Sequence, residues 1–191
     1  MKAHALCADP PWQLKDQLPG PGRGASKHYQ TLGLSEICRF LTEPGGIGGQ
    51  IADDCILFLW RLASMPREAL DVCSAWGFVP KAEIVWIKKT ATGKRWFGMG
   101  HYTRAEHETC IIAVRGRPKI KTHSIRSTFE APAGRHSQKP EEFYDIVEQL
   151  CDGPYLELFA RRERPGWLCL GDELEIENVS NKIFSIRLSL P

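Results

Sequence analysis

Four consecutive residues, Asp9, Pro10, Pro11 and Trp12, follow a short apolar run and combine groups that suit one kind of chemistry. An exocyclic amine on a nucleobase is a poor nucleophile, because its lone pair is delocalised into the ring. A carboxylate accepting one of its N–H groups and a backbone carbonyl accepting the other would draw the nitrogen toward a tetrahedral shape, with its lone pair aimed at an electrophile. Asp9 and the Pro10 carbonyl can provide those acceptors. Two successive prolines stiffen the turn and carry no N–H, so the acceptors are expected to be held in place without an internal donor competing for them. Trp12 offers a face on which a base could stack, typically worth about 1–3 kcal/mol. The bland alternative is a proline-stiffened turn in which the aspartate is only a cap.

The charges are unevenly spread. The 191-residue chain has a formal net charge of +2, yet residues 86–126 hold ten Lys or Arg (88, 89, 94, 95, 104, 115, 117, 119, 121, 126) against Glu106 and Glu108 alone. That window is +8 and the remainder −6. Such an excess is the footprint of a surface that meets phosphates, although a solvated loop would show the same composition. Seven cysteines lie at wide intervals with no CxxC pair and no tight Cys/His cluster. They read as buried thiols of a reducing cytoplasm, and no metal site is expected.

The elements that must position these groups can be placed in outline. Composition, 42% hydrophobic and 25% charged, is that of a soluble globular protein and argues against disorder or coiled coil. The length suits one domain, taken as residues 1–191. No apolar run approaches the roughly 18–20 residues of a membrane span, and the N-terminus turns polar too soon for a signal peptide, so a cytoplasmic protein without a membrane partner is expected. Ala3 to Ala8 reads as a buried strand that stops at Asp9 and the prolines. Gln13 to Tyr29 is rich in Gly and Pro and reads as a loop. Helices are expected over Leu34 to Glu43, Pro66 to Trp76 and Pro140 to Leu150. Strands are expected over Cys55 to Trp60, Ala82 to Ile87, Thr109 to Val114, Tyr155 to Ala160, Trp167 to Leu170 and Lys182 to Leu190. Residues 115–139 read as a long irregular loop. GGIGG at 45–49 precedes a strand instead of following one, which removes the dinucleotide-binding reading. Strands alternating with helices imply an α/β protein with a mostly parallel sheet, whose ligands sit beyond the carboxyl ends of the strands.

DPPW, together with GMGHY (Gly98 to Tyr102), HSQKP (His136 to Pro140), ELFAR (Glu157 to Arg161) and RPGW (Arg164 to Trp167), resembles the DPPW-type N(6)-adenine methyltransferases over residues 3–175. That family includes the catalytic subunit of the messenger-RNA adenosine methyltransferase and small bacterial and phage DNA adenine methyltransferases. The resemblance implies a Rossmann-like class I fold with helices on both faces of the sheet, S-adenosylmethionine as donor, no metal, and a catalytic motif that precedes the cofactor strand. It makes Asp9, Pro10, Pro11 and Trp12 catalytic, and Lys88, Ser137, Leu158, Phe159, Arg161, Asp172 and Glu173 cofactor-binding. Lys88 is expected to need an anionic ligand, since burying it without a charged partner would be costly. Substrate contacts fall on Lys27, His28 and Tyr29 in the gating loop, and on the basic residues Lys94, Arg95, Arg104, Arg117 and Lys119. Only eight residues precede Asp9, and no separate target-recognition domain is evident, so sequence reading would fall to the loops or to a partner. The expected substrate is DNA in a bacterial or phage-infected cell. RNA as substrate, a non-catalytic nucleic-acid-binding subunit, and a homodimer or partner subunit remain open alternatives.

Overall fold

The computed structural model describes residues 2–13, 31–44, 46–100, 102–134 and 138–171. The expected strand at 182–190 and the gating loop lie outside these residues. Seven strands form one sheet in the order β5-β3-β4-β2-β1-β6-β7. They are β1 (Ala3–Ala8), β2 (Ile51–Arg61), β3 (Val79–Lys89), β4 (His107–Arg115), β5 (Thr128–Pro132), β6 (Tyr155–Leu158) and β7 (Trp167–Leu170). Four of the six neighbouring pairs are parallel, and both antiparallel pairs involve β4. Six strands therefore point one way and β4 alone runs back, which agrees with the mostly parallel, Rossmann-like architecture.

Alternation along the central strands feeds two cores, because successive side chains leave opposite faces of a strand. Leu6, Leu57, Leu59, Leu156 and Leu158 face helices α1 (Leu34–Arg39) and α2 (Pro66–Ala75), which contribute Ile37, Ala69, Val72 and Cys73. Ala5, Cys7, Ile56, Phe58 and Trp60 face α3 (Glu141–Leu150), which contributes Phe143, Tyr144 and Val147. Helices thus cover both faces. Buried indoles fasten elements to one another, as expected where a ring is apolar at one end and polar at the other. Trp76 Nε1 donates to the Ile37 carbonyl (2.9 Å), joining α2 to α1, and Trp167 Nε1 donates to Glu148 Oε1 (2.7 Å), joining β7 to α3.

Several expectations are adjusted. Residues 115–139 contain β5, a short edge strand parallel to β3, held by Trp86 Nε1 donating to the Ala131 carbonyl at 2.9 Å. β2 begins four residues before the expected Cys55, and β3 begins three before Ala82. β3 tolerates Pro80, which cannot donate to the ladder, because the pairing with β4 is irregular between Pro80 and Ala82. No helix among the described residues is long and apolar enough to cross a membrane.

Candidate active site

After β1 the chain builds β2 to β5 on one side and then returns to lay β6 and β7 on the other, so the sheet changes direction at the β1/β6 seam. A crevice outside the carboxyl ends of these strands is where α/β sheets take ligands. Asp9 stands there, directly after β1. So does Phe159, directly after β6, which adopts φ 61, a left-handed conformation that costs a non-glycine residue on the order of 1–3 kcal/mol. Its ring packs at 4.8 Å on Phe40. Beside it Gly171 follows β7 where a Cβ would lie 1.9 Å from the Ala160 carbonyl oxygen, so only glycine lets the two strand ends close together.

The centre of the crevice is a chain of four alternating charges. Lys139 Nζ lies 2.7 Å from Asp9 Oδ2 and 3.0 Å from Glu108 Oε2, and Glu108 Oε1 lies 2.5 Å from Lys88 Nζ. The Lys139 ammonium also sits 5.0 Å from the centre of the Trp60 ring. Lys139, just before α3, lies between Glu108 of β4 and Asp9 after β1. Burial works against the charge on Lys139, but Asp9 and Glu108 outweigh it and hold the ammonium above its ordinary range. Burial likewise works against ionised Glu108, and Lys139 and Lys88 outweigh it and hold the carboxyl below its ordinary range. Nearby Glu157 differs. Burial pushes its carboxyl up, although the Tyr144 hydroxyl donates to it at 2.6 Å.

Asp9, Gln138, Lys139, Glu157, Phe159 and Arg161 line one cleft. The site residues expected from the sequence distribute as follows. Asp9, Phe159 and Arg161 share this cleft, and Lys88 reaches it through Glu108. The argument that Lys88 lacks a charged partner is corrected, since Glu108 pairs with it. Leu158 is fully buried in the core, which leaves only its backbone to meet a ligand. Trp12 is 4% exposed and donates from Nε1 to the Trp60 carbonyl at 3.1 Å, so its ring is a core anchor here and not an open stacking face. The Pro10 carbonyl already accepts the Trp12 N–H at 2.8 Å, which corrects the idea of an acceptor without an internal donor and leaves it one lone pair. Pro11 accepts the Leu32 N–H at 2.9 Å, tying the turn to the segment before α1. Lys94, Arg95 and Arg104 occupy the β3–β4 loop at this same end of the sheet, whereas Arg117 and Lys119 follow β4 at the opposite end. Lys27, His28, Tyr29, Ser137, Asp172 and Glu173 lie outside the described residues.

Sequence reasoning missed Lys139 and Glu108. One signal was available: Lys139 directly precedes the N-cap Pro140 of α3, where the helix dipole disfavours a cation, so a lysine there has to find anions elsewhere. The partner strands were not deducible from spacing, because Asp9 and Lys139 are 130 residues apart.

The MT-A70 family profile matches residues 4–173. The chain is 30% identical over 177 residues to "N(6)-adenosine-methyltransferase MT-A70-like" of Arabidopsis thaliana, covering 88% of this chain and 23% of that protein. It is 31% identical over 183 residues to "N(6)-adenosine-methyltransferase catalytic subunit METTL3" of Homo sapiens, covering 91% and 28%. It is 28% identical over 204 residues to "Type II methyltransferase M.MunI" of a Mycoplasma species, covering 95% and 80%. The chain thus spans about a quarter of the length of the plant and human relatives and most of the length of the Mycoplasma one.

Proposed function

The chain belongs to the MT-A70 family, and from that premise we propose that it transfers a methyl group from S-adenosylmethionine to the N(6) amine of adenine in DNA. The observation that carries the reading is Asp9 at the carboxyl end of β1, with one oxygen fixed by a buried ammonium. Among the described residues the other oxygen, Oδ1, has no hydrogen-bond partner, and the side chain lines the cleft. A carboxylate held this way can accept an amine N–H in one orientation, with the orienting entropy already met by the fold.

The residues present suit the donor. A molecule carrying carboxylate, ammonium and sulfonium groups beside an adenosine needs charged groups and an aromatic wall, and beside Asp9 the cleft offers Lys139, Arg161 and Phe159. When bound, the donor supplies an electrophilic methyl carbon on a sulfonium that leaves as a neutral thioether. Asp9 Oδ1 accepts one N–H of the target amine, and the remaining lone pair of the Pro10 carbonyl accepts the other. With the donor bound, the Asp9 carboxylate would take up the proton that the amine gives up on methylation. Lys139 stays protonated and keeps that carboxylate in place.

The DNA reading draws on the 28% identity over 204 residues to the type II methyltransferase. The RNA reading draws on the 30–31% identity to the adenosine methyltransferases. A cytoplasmic setting and a homodimer or a partner subunit accompany the proposal. The test offers DNA and RNA in parallel with S-adenosylmethionine, digests each to nucleosides and detects N(6)-methyladenine by mass. The expected product comes from DNA. Asp9→Asn should abolish it while leaving donor binding within a few-fold, and turnover above about a tenth of wild type in that variant would remove Asp9 from the chemistry.

A further inference from the structure

The β3–β4 connection carries large side chains that the fold does not use. Phe97 is 78% exposed, Met99 87%, and Tyr102 fully so. Single exposed apolar residues are ordinary, but three on one projecting segment are not. The segment is also zipped along its length. Trp96 N–H donates to the Lys88 carbonyl at 3.0 Å, Arg95 pairs with Glu106 at 3.1 Å, and Gly98 N–H donates to the Ala105 carbonyl at 3.1 Å. A Cβ on Gly98 would lie 2.2 Å from the Ala105 oxygen, and one on Gly100 would lie 2.0 Å from the Thr103 oxygen, so the two limbs approach in a way only glycine permits.

An arm built this closely displays its aromatics in a preset geometry, which lowers the ordering cost of binding through them. Its charge selects the partner. The Arg104 guanidinium lies 5.2 Å from the centre of the Phe97 ring, and exposed Lys94 has no ion pair among the described residues. Flat apolar faces interleaved with cations complement a polyanion that carries flat rings. The arm leaves β3 and returns into β4 just before Glu108, whose carboxylate contacts the lysine that holds Asp9. It therefore stands beside the rim of the cleft.

We propose that Phe97, Met99, Tyr102 and Arg104 form a base-stacking arm that grips unpaired nucleotides beside the target adenine. This rests on the polynucleotide reading above and adds to it the part that handles an unstacked strand. Stacking on an aromatic side chain is largely indifferent to base identity, so the arm holds the strand and does not read its sequence.

The test compares wild type with Phe97→Ala/Tyr102→Ala in binding to two single-stranded 12-nucleotide probes, one of mixed sequence and one with the same backbone but abasic throughout. The variant should lose about fivefold or more in affinity for the mixed-sequence probe. Its affinity for the abasic probe and its salt slope should not change. Phe97→Trp/Tyr102→Phe should restore binding. Thermal stabilisation by S-adenosylmethionine should be the same in all three proteins, which separates a lost arm from a lost fold. Equal binding of both probes by variant and wild type would overturn the arm while leaving the methyltransferase reading intact, provided that wild type still methylates DNA. A change of oligomeric state on substitution, seen by sedimentation, would overturn it in favour of a second protein chain on this surface. Wild type that binds the donor but neither probe would overturn both the arm and the polynucleotide substrate.

Discussion

Lys139 is held where two unfavourable effects coincide, burial and the positive end of a helix, and it remains charged because two carboxylates close on it. Taking out one partner of such an array is far more disruptive than the array is stabilising, because the remaining charges stay buried and unpaired. Lys139→Met should therefore lower stability by about 3–5 kcal/mol and stop methyl transfer. The pH dependence distinguishes the members. Glu108 is held below its ordinary value of 4.5, so its contribution is present above that pH and is lost as pH falls through the lower folded value. Lys139 is held above 10.5, so its contribution is present below that pH and is lost as pH rises through the higher folded value. Glu157 has the opposite sign from Glu108. It is raised above 4.5, binds more protons folded than unfolded, and costs stability as pH climbs from about 4.5 through its folded value. Urea midpoints between pH 3 and 8 should then show a shallower acid limb in Glu108→Gln and a smaller decline above pH 4.5 in Glu157→Gln. Unchanged limbs in both variants would mean that neither carboxyl is set by these neighbours. Asp9 could be singled out as a candidate from four letters of sequence because a stiff turn and an acceptor share one short motif. The cation that positions it could not, since its meaning depends on a fold that joins residues 130 apart.

At the level of elements, the site depends on how closely three strand ends are brought together. β6 and β7 are only four residues each, and they end at Phe159 and Gly171, both in conformations or contacts that ordinary residues resist. Gly171→Ala would push a methyl into the Ala160 backbone and break the Ala160 N–H to Leu170 carbonyl bond of 3.0 Å. The expected outcome is a fall of several degrees in Tm and a weaker shift on adding S-adenosylmethionine, because the same shoulder shapes the cleft. Gly166→Ala makes a useful contrast, since its Cβ would meet nothing within 4 Å and its strain comes from a φ of 80 alone. It should cost only about 1 kcal/mol and leave the donor shift unchanged. The longer elements were legible because hydrophobic pattern and punctuation agree: α3 opens after Pro140 with two glutamates and buries Phe143, Tyr144, Val147 and Leu150 at helical spacing. β5 was not legible. Its sequence, TFEAP, is five residues long, ends in proline and buries only Ala131, so its strand character comes from pairing with β3 and not from its own composition.

Across the whole molecule, the +8 window is not one surface. β4 divides it, with Lys94, Arg95 and Arg104 at the end that carries Asp9 and Arg117, Lys119 and Lys121 at the other. Nine residues of strand put those ends about 27 Å apart. Each end has one ion pair among these residues, Arg95 with Glu106 (3.1 Å) near Asp9 and Lys121 with Asp152 (3.1 Å) at the far end, so position and not pairing separates the two groups. A polynucleotide whose target adenine sits at Asp9 should therefore feel the near group first. On a duplex of about six base pairs, roughly 20 Å long, Lys94→Ala and Arg104→Ala should each flatten the log–log dependence of affinity on salt by about one unit, while Arg117→Ala and Lys119→Ala leave it unchanged. On a duplex of 20 base pairs the far pair can be reached only if the strand runs along the sheet from one end to the other, and their removal would then flatten the slope as well. Binding titrations at several salt concentrations on both lengths decide this. A far-group effect on the short duplex would show that the nucleic acid does not enter at the carboxyl end of the sheet, and the assignment of Asp9 as the residue that meets the target amine would fall with it.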